Sequence, residues 1–209
     1  MLDLAATAAV ALLVTLDPLG TGPIFAALTR GDPPEHRRRM AVKGVLIAAG
    51  ILFVFAFGGE ALLHALGIGF PAFRIAGGIL LLLLAVDMVF ARPSGLRTTT
   101  ASEEEEASQR GDISVFPLAI PLIAGPGALT TVLLLMGQAA GDPWRQAVVL
   151  GVLAAALAAV LAALLAAGWI SRALGVTGIN VIDRVLGILL AALACQFVID
   201  GLKESGVAG

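Results

Sequence analysis

Two short stretches of this chain carry residue types suited to holding a polar solute in apolar surroundings: Pro18-Leu19-Gly20-Thr21-Gly22-Pro23 and Pro121-Leu122-Ile123-Ala124-Gly125-Pro126. Both read P-L-x-x-G-P, and both sit inside long apolar runs. Proline removes a backbone donor and glycine weakens helical preference, so each run is expected to be a helix broken near its middle. A half-helix that begins after such a break directs free N–H groups and a positive dipole end at an anion such as a carboxylate. The candidate solute-binding residues are Pro18, Gly20, Thr21, Gly22 and Pro23 in the first stretch, and Gly125, Pro126, Gly127, Thr130 and Thr131 in and after the second. Thr29 is a further nearby hydroxyl. The plain alternative is a pair of structural kinks packed against their neighbours.

Charged groups inside apolar runs are costly enough to suggest a function. Asp17 immediately precedes the first break, and its counterpart before the second is Ile120, so an acid stands on one side only, as suits a single proton or cation site. The competing role for Asp17 is to cap the half-helix that follows. Asp87 is a second coupling candidate, with an interfacial anchor as its alternative. Arg74 and Arg184 open their runs and are candidates to pair with Asp17, Asp87 or the solute, although snorkelling to the interface explains them equally well. Glu60, Gln138, Asn180 and Gln196 could line a path, but interhelical hydrogen bonding is sufficient reason for such groups. Cys195, the only cysteine, is expected to be a small core residue.

Several chemistries find no residues to carry them. The chain has no H-E-x-x-H, no G-x-S-x-G and no G-x-x-x-x-G-K-[ST]. Its two histidines, His36 and His64, fall in or near loops. No enzyme activity, metal site or cofactor is expected. A net charge of -2 offers no basic surface for nucleic-acid phosphates.

The elements that must position these residues follow from composition. The 209 residues are 59% hydrophobic and 13% charged, far from the balance of a soluble domain. Crossing a bilayer takes about 20 mostly apolar residues. On that template six spans are predicted: Leu4 to Leu28, Val42 to Leu66, Phe70 to Phe90, Val115 to Gly137, Ala147 to Ile170 and Ile179 to Leu202. Residues 92–112, with Glu103 to Glu106, read as a solvated linker. Asp32-Pro33-Pro34-Glu35 reads as a helix start with Asp32 as the cap.

The third and sixth spans open alike, Arg74-Ile75-Ala76-Gly77 and Arg184-Val185-Leu186-Gly187. With the P-L-x-x-G-P pair this makes a three-span repeat, residues 1–91 and 113–209, whose second copy enters the membrane from the opposite side. The fold class expected is an all-α polytopic membrane bundle of two inverted three-helix repeats with broken first and fourth helices. Ten of the thirteen Lys and Arg fall on one face: Arg30, Arg37, Arg38, Arg39, Lys43, Arg92, Arg97, Arg110, Arg172 and Arg184. That face should be cytoplasmic, with both termini outside a bacterial or archaeal inner membrane. The small residues of the fifth span allow close helix packing, within one chain or in a homo-oligomer.

Three stretches carry a resemblance to a known family: Leu16-Asp17-Pro18-Leu19-Gly20 with Gly22-Pro23, Phe73-Arg74-Ile75-Ala76-Gly77-Gly78-Ile79-Leu80, and residues 115–127, Val115-Phe116-Pro117 through Ala124-Gly125-Pro126-Gly127. In these the chain resembles the MarC family of integral membrane proteins, also grouped as small neutral amino acid transporters. The resemblance implies a six-span inner-membrane protein and, for some members, proton-driven transport of glycine, alanine and similar amino acids. Thr21 stands where relatives often have Asn, which changes the hydrogen bonding available at the break. The expected partners are a small-molecule substrate and membrane lipid. A scaffold or regulatory protein, or a carrier or channel for another small solute, is the alternative.

Overall fold

The computed structural model describes residues 1–90 and 112–206. The described residues form helices only: α1 (Leu2–Leu16), α2 (Pro18–Leu28), α3 (Pro34–Ala65), α4 (Phe70–Phe90), a wide segment π1 (Ser114–Ile123), α5 (Pro126–Gln138), α6 (Pro143–Leu165) and α7 (Ala167–Glu204). Five are long and apolar enough to cross a membrane when α1 and α2 are taken as one span, and π1 with α5 makes a sixth, bent by 55°. The chain is therefore a polytopic helical membrane bundle. The linker, with its acidic block and Arg92, Arg97 and Arg110, lies outside the described residues up to Gly111.

Local chemistry explains most helix ends. Asp142 caps α6 by accepting from the N–H groups of Trp144 and Arg145, with Pro143 in the first turn, where no intrahelical donor is lost. Asp32 does not play the same part in α3. The helix starts one residue later than a cap at Asp32 requires: Pro33 holds the cap position without a side-chain bond, and the Asp32 N–H closes a turn onto Thr29 O at 3.2 Å. A second proline after the acid shifts the first helical residue to Pro34. In α7, Gly175 at φ 60° interrupts the helix, leaving a membrane-length portion from Thr177 to Glu204.

Contacts fix how the spans run. Gly44 of α3 lies against Leu118 and Ser114, and Gly59, further along, against Leu133; α3 and the fourth span are parallel. Gly127 meets Leu84 while Gly137 meets the Phe70 ring, so α4 runs opposite to α5. The third and sixth spans are likewise antiparallel, with Gly201 against Ile75 and Pro71, and Gly187 against Met88. Loop 29–33, the start of π1 and the end of α4 thus share one membrane face, and loop 66–69, loop 139–142 and the end of α7 share the other.

The α4–α7 seam has a local two-fold, consistent with an internal repeat. A Cβ on Gly78 would stand 2.9 Å from the Ala194 carbonyl oxygen and 2.7 Å from Val198 Cγ2. One on Gly187 would stand 3.1 Å from the Ala85 oxygen and 3.1 Å from Val89 Cγ2. Gly78 and Gly187, Ala85 and Ala194, and Val89 and Val198 are all related by the same 109-residue offset. The R-x-x-G match pairs Gly77 with Gly187 and is wrong by one residue, because the tandem Gly77-Gly78 leaves a four-residue motif ambiguous. In the corrected register Arg74 corresponds to Asp183, not Arg184.

The main core joins Leu12 and Leu16 of α1 to Ile123, Ala124 and Ala128 around the second break and to Ala156, Val160 and Leu164 of α6. Cys195 is exposed on α7. It is not a core residue: Ala194 and Phe197, on the other face of the same turns, take the buried positions.

Candidate functional site

The first break occurs at Asp17. Its φ of 41° is left-handed, a conformation that costs an L-residue about 1–2 kcal/mol. The carboxylate Oδ1 accepts from the Gly20 N–H at 3.0 Å and so caps α2, with Pro18 as the first helical residue. Gly20 is required for this fold-back: a Cβ there would overlap the Asp17 carboxylate. The Thr21 hydroxyl donates to Asp17 O at 2.7 Å, which the Thr21 N–H also reaches at 3.0 Å, and lies 3.3 Å from Leu16 O, whose helical donor, the Gly20 N–H, goes instead to the Asp17 carboxylate.

Capping alone does not account for an acid here. A cap is worth about 1 kcal/mol, and Asn or Ser serves as well as Asp. Asp17 is only 5% exposed, and taking a carboxylate out of water costs several kcal/mol. A neutral side chain could fill the capping role, so the acid calls for a further reason.

The second break is built differently. Phe116 and Ile120 have extended backbone inside π1 (φ -130° for both), and the remaining bonds are of the wide i to i+5 kind, Leu118 N–H to Ile113 O and Ala124 N–H to Ala119 O. Each extended residue precedes a proline, Pro117 or Pro121, and the position before a proline is biased away from helical conformation. The irregular backbone therefore begins well before the P-L-x-x-G-P stretch, further back than that motif alone indicates. Chain direction then changes at Ala124-Gly125, and α5 starts at Pro126.

The start of α5 has no side-chain cap; Gly125 and Ala128 are buried, Gly127 half-buried and Pro126 exposed. On the same helix Thr131 is fully buried, and its Oγ1 has no hydrogen-bond partner. A buried unsatisfied hydroxyl costs about 1–3 kcal/mol, and an uncapped helix start leaves its first N–H groups without intrahelical partners. Thr130 is buried with its methyl against Gly77. The expected donors Thr21 and Thr29 are committed to backbone oxygens of their own segment, Thr29 to Phe25 O at 2.7 Å.

Helix contacts bring the two breaks to one level. α1 packs on α5 and α2 touches π1, so the outer halves meet on one side of the breaks and the inner halves on the other. Of the candidate residues, Pro18, Gly20, Thr21, Gly22 and Pro23 form the first turns after one break, and Gly125, Pro126, Gly127, Thr130 and Thr131 the first turns after the other.

The other charged candidates lie apart. Arg74 does not pair with Asp17 or Asp87: its guanidinium bonds Glu204 at 3.0 Å and lies 5.0 Å over the Phe70 ring. The reason is the antiparallel α4–α7 seam, which sets the start of one span beside the end of the other. Arg184 is exposed and Asp87 half-buried, and neither forms an ion pair among the described residues. Glu60 is exposed, and Gln196 bonds Asp200 within its own helix at 2.8 Å. Glu204 and Asp183 went unremarked in the sequence reading; Glu204 could have been found by counting antiparallel spans, which places it on the membrane face where Arg74 begins α4.

The family model of the MarC family integral membrane proteins matches residues 2–205. The chain belongs to the MarC family. Among individual members, it is 38% identical over 193 residues to a UPF0056 membrane protein of Aquifex aeolicus, covering 92% of this chain and 89% of that one. It is 34% identical to the UPF0056 membrane protein YvbG of Bacillus subtilis, covering 93% and 92% of the two chains. With the UPF0056 inner membrane protein YhgN of Escherichia coli it shares 35% over 197 residues, 94% and 95% of the two. No solved structure matches the chain. A MarC-family chain with these spans is an integral membrane protein.

Proposed function

We propose that this MarC-family protein is a secondary transporter of small neutral amino acids, glycine-like and alanine-like zwitterions, with Asp17 as the proton-coupling group. The observation that carries the proposal is the complementary pair of breaks. One presents a buried carboxylate, Asp17, and the other an uncapped helix start with the buried Thr131 hydroxyl one turn on, which meets no partner among the described residues. A zwitterion supplies an ammonium for the first and a carboxylate for the second. Paired interruptions at corresponding positions of two inverted halves are where transporters of this build place their solute. Asp17 is the first candidate for coupling, and Asp87, half-buried in α4, is the second.

Positive charge sets the sidedness we infer. Arg30, Arg37, Arg38, Arg39, Lys43, Arg172 and Arg184 place the loop 29–33 face in the cytoplasm, with both termini outside. Uptake of labelled glycine and alanine into proteoliposomes, with and without an imposed pH gradient, tests the function. Saturable, gradient-driven uptake that becomes insensitive to the gradient in Asp17→Asn supports it; absence of uptake by folded protein refutes it.

A further inference from the structure

A second feature lies away from the breaks, on the Arg-rich face. Where α3 begins and α6 gives way to α7, a cavity of about 580 Å³ opens among Arg37, Arg38, Arg172, Trp169 and Leu165, with Phe25 at its base. That volume is in the range of small-ligand sites. Three arginines from two helices, Arg37 and Arg38 of α3 and Arg172 of α7, line it. None has a carboxylate partner: the ion pairs among the described residues are Lys43–Asp112 and Arg74–Glu204. Arg37 is anomalous, because its Nε is enclosed by protein yet meets no acceptor. Arg172 is held in place by a bond from its Nε to Gly168 O at 2.9 Å, which leaves its terminal N–H groups available.

Its position says what kind of anion fits. The cavity lies at the end of the apolar helix α6, where a span meets the membrane surface. Leu165 and Trp169, on its rim, are 51% and 68% exposed, and tryptophan is favoured at headgroup depth. Basic groups thus stand over apolar ones, the arrangement of a phosphate over acyl chains. A free anion would gain nothing from the apolar rim. Basic pockets between spans at a membrane surface are suited to anionic headgroups, and guanidinium forks match phosphate oxygens in pairs.

We propose that this cavity is a binding site for the phosphodiester headgroup of an anionic phospholipid, held by Arg37, Arg38 and Arg172 with its chains beside Leu165 and Trp169. The site is independent of the transport reading. Trp144, the other tryptophan, caps the opposite face, so Trp144→Phe in the full chain leaves Trp169 as a single reporter. Quenching of Trp169 is measured in nanodiscs of phosphatidylcholine doped with brominated phosphatidylglycerol or with brominated phosphatidylcholine. Anionic lipid should quench at a mole fraction at least tenfold lower than zwitterionic lipid. Arg37→Gln/Arg38→Gln/Arg172→Gln should abolish that preference, and Arg145→Gln, on the other face, should keep it. Native mass spectrometry of the same proteins reports retained phosphatidylglycerol without relying on Trp169, and far-ultraviolet dichroism verifies folding.

Equal quenching by both lipids, or an unchanged preference in the folded triple variant, overturns the proposal. So does displacement of the lipid by millimolar inorganic phosphate, which would make this a site for a free anion. A preference that appears only when Glu103 to Glu106 are replaced by Gln would assign the cavity to the chain's own acidic block, also against the proposal.

Discussion

Individual residues at the breaks carry costs that stability alone does not repay. Thr131 is the sharpest case, because its buried hydroxyl has no partner. Thr131→Val keeps the shape and removes the unsatisfied group, so it should raise stability without solute by roughly 1 kcal/mol while raising the KM for amino-acid uptake; thermal unfolding in detergent and the proteoliposome assay check the two halves. A loss of stability would show that the hydroxyl is satisfied in the protein. Gly20→Ala forces a methyl into the Asp17 carboxylate and should cost about 1–3 kcal/mol, read as a lower unfolding temperature. At the membrane surface the hydrogen bond from Lys43 Nζ, 2.6 Å away, holds the Asp112 carboxyl well below its ordinary 3.8. A lowered folded-state pKa stabilises above the unfolded value and is lost as pH falls through the folded one. Both partners are about half exposed, 48% and 46%, so Asp112→Asn should cost only about 0.2–1 kcal/mol at neutral pH, a gap that closes as pH drops below 3.8. Asp17 and the glycines around it were legible in the sequence because an acid and paired prolines are rare in apolar runs. The unpartnered state of Thr131 was not, since it depends on what the neighbouring helices fail to offer.

At the scale of elements, the broken first and fourth spans could be read from P-L-x-x-G-P, but the extent of π1 could not be read from that motif. Two further signals were present in Phe116-Pro117 and Ile120-Pro121, whose prolines bias the preceding residues toward extended backbone. The span boundaries read from hydropathy start α3 at Val42, where the helix begins eight residues earlier, at Pro34, because Arg37, Arg38, Arg39 and Lys43 are helical without being apolar. The α4–α7 seam was visible as glycine, yet its register needed geometry. Gly78 and Gly187 each face a carbonyl and a valine of the opposite helix, and in lipid such seams are held by close packing and not by a hydrophobic drive. Gly187→Leu should therefore separate α4 from α7 and cost more than Gly151→Leu, whose Cβ position is open; unfolding temperatures of the two variants in the same detergent test this.

For the whole molecule, both termini and the loops 66–69 and 139–142 lie on one membrane face and the Arg-rich loops on the other, an arrangement implied by helix contacts and by charge separately. What neither supplies is the direction of that axis in a cell, for which charge bias is the physical argument. In a Cys195→Ser background, Ser205→Cys should react with an impermeant thiol reagent in intact cells and Arg39→Cys only after permeabilisation; the reverse would invert the topology. In the proposed reading two inverted halves set unlike groups at like positions, Asp17 against Ile120, which would give one site two chemically different ends. The central claim, that these ends hold a small zwitterion and couple it to a proton, is tested most directly by alanine uptake into proteoliposomes under an imposed inward proton gradient, comparing the native protein with Asp17→Asn. Saturable uptake accelerated by the gradient in the native protein, and indifferent to it in the variant, is the predicted result; folded native protein that takes up no small neutral amino acid, or a variant that responds to the gradient as the native protein does, would contradict it.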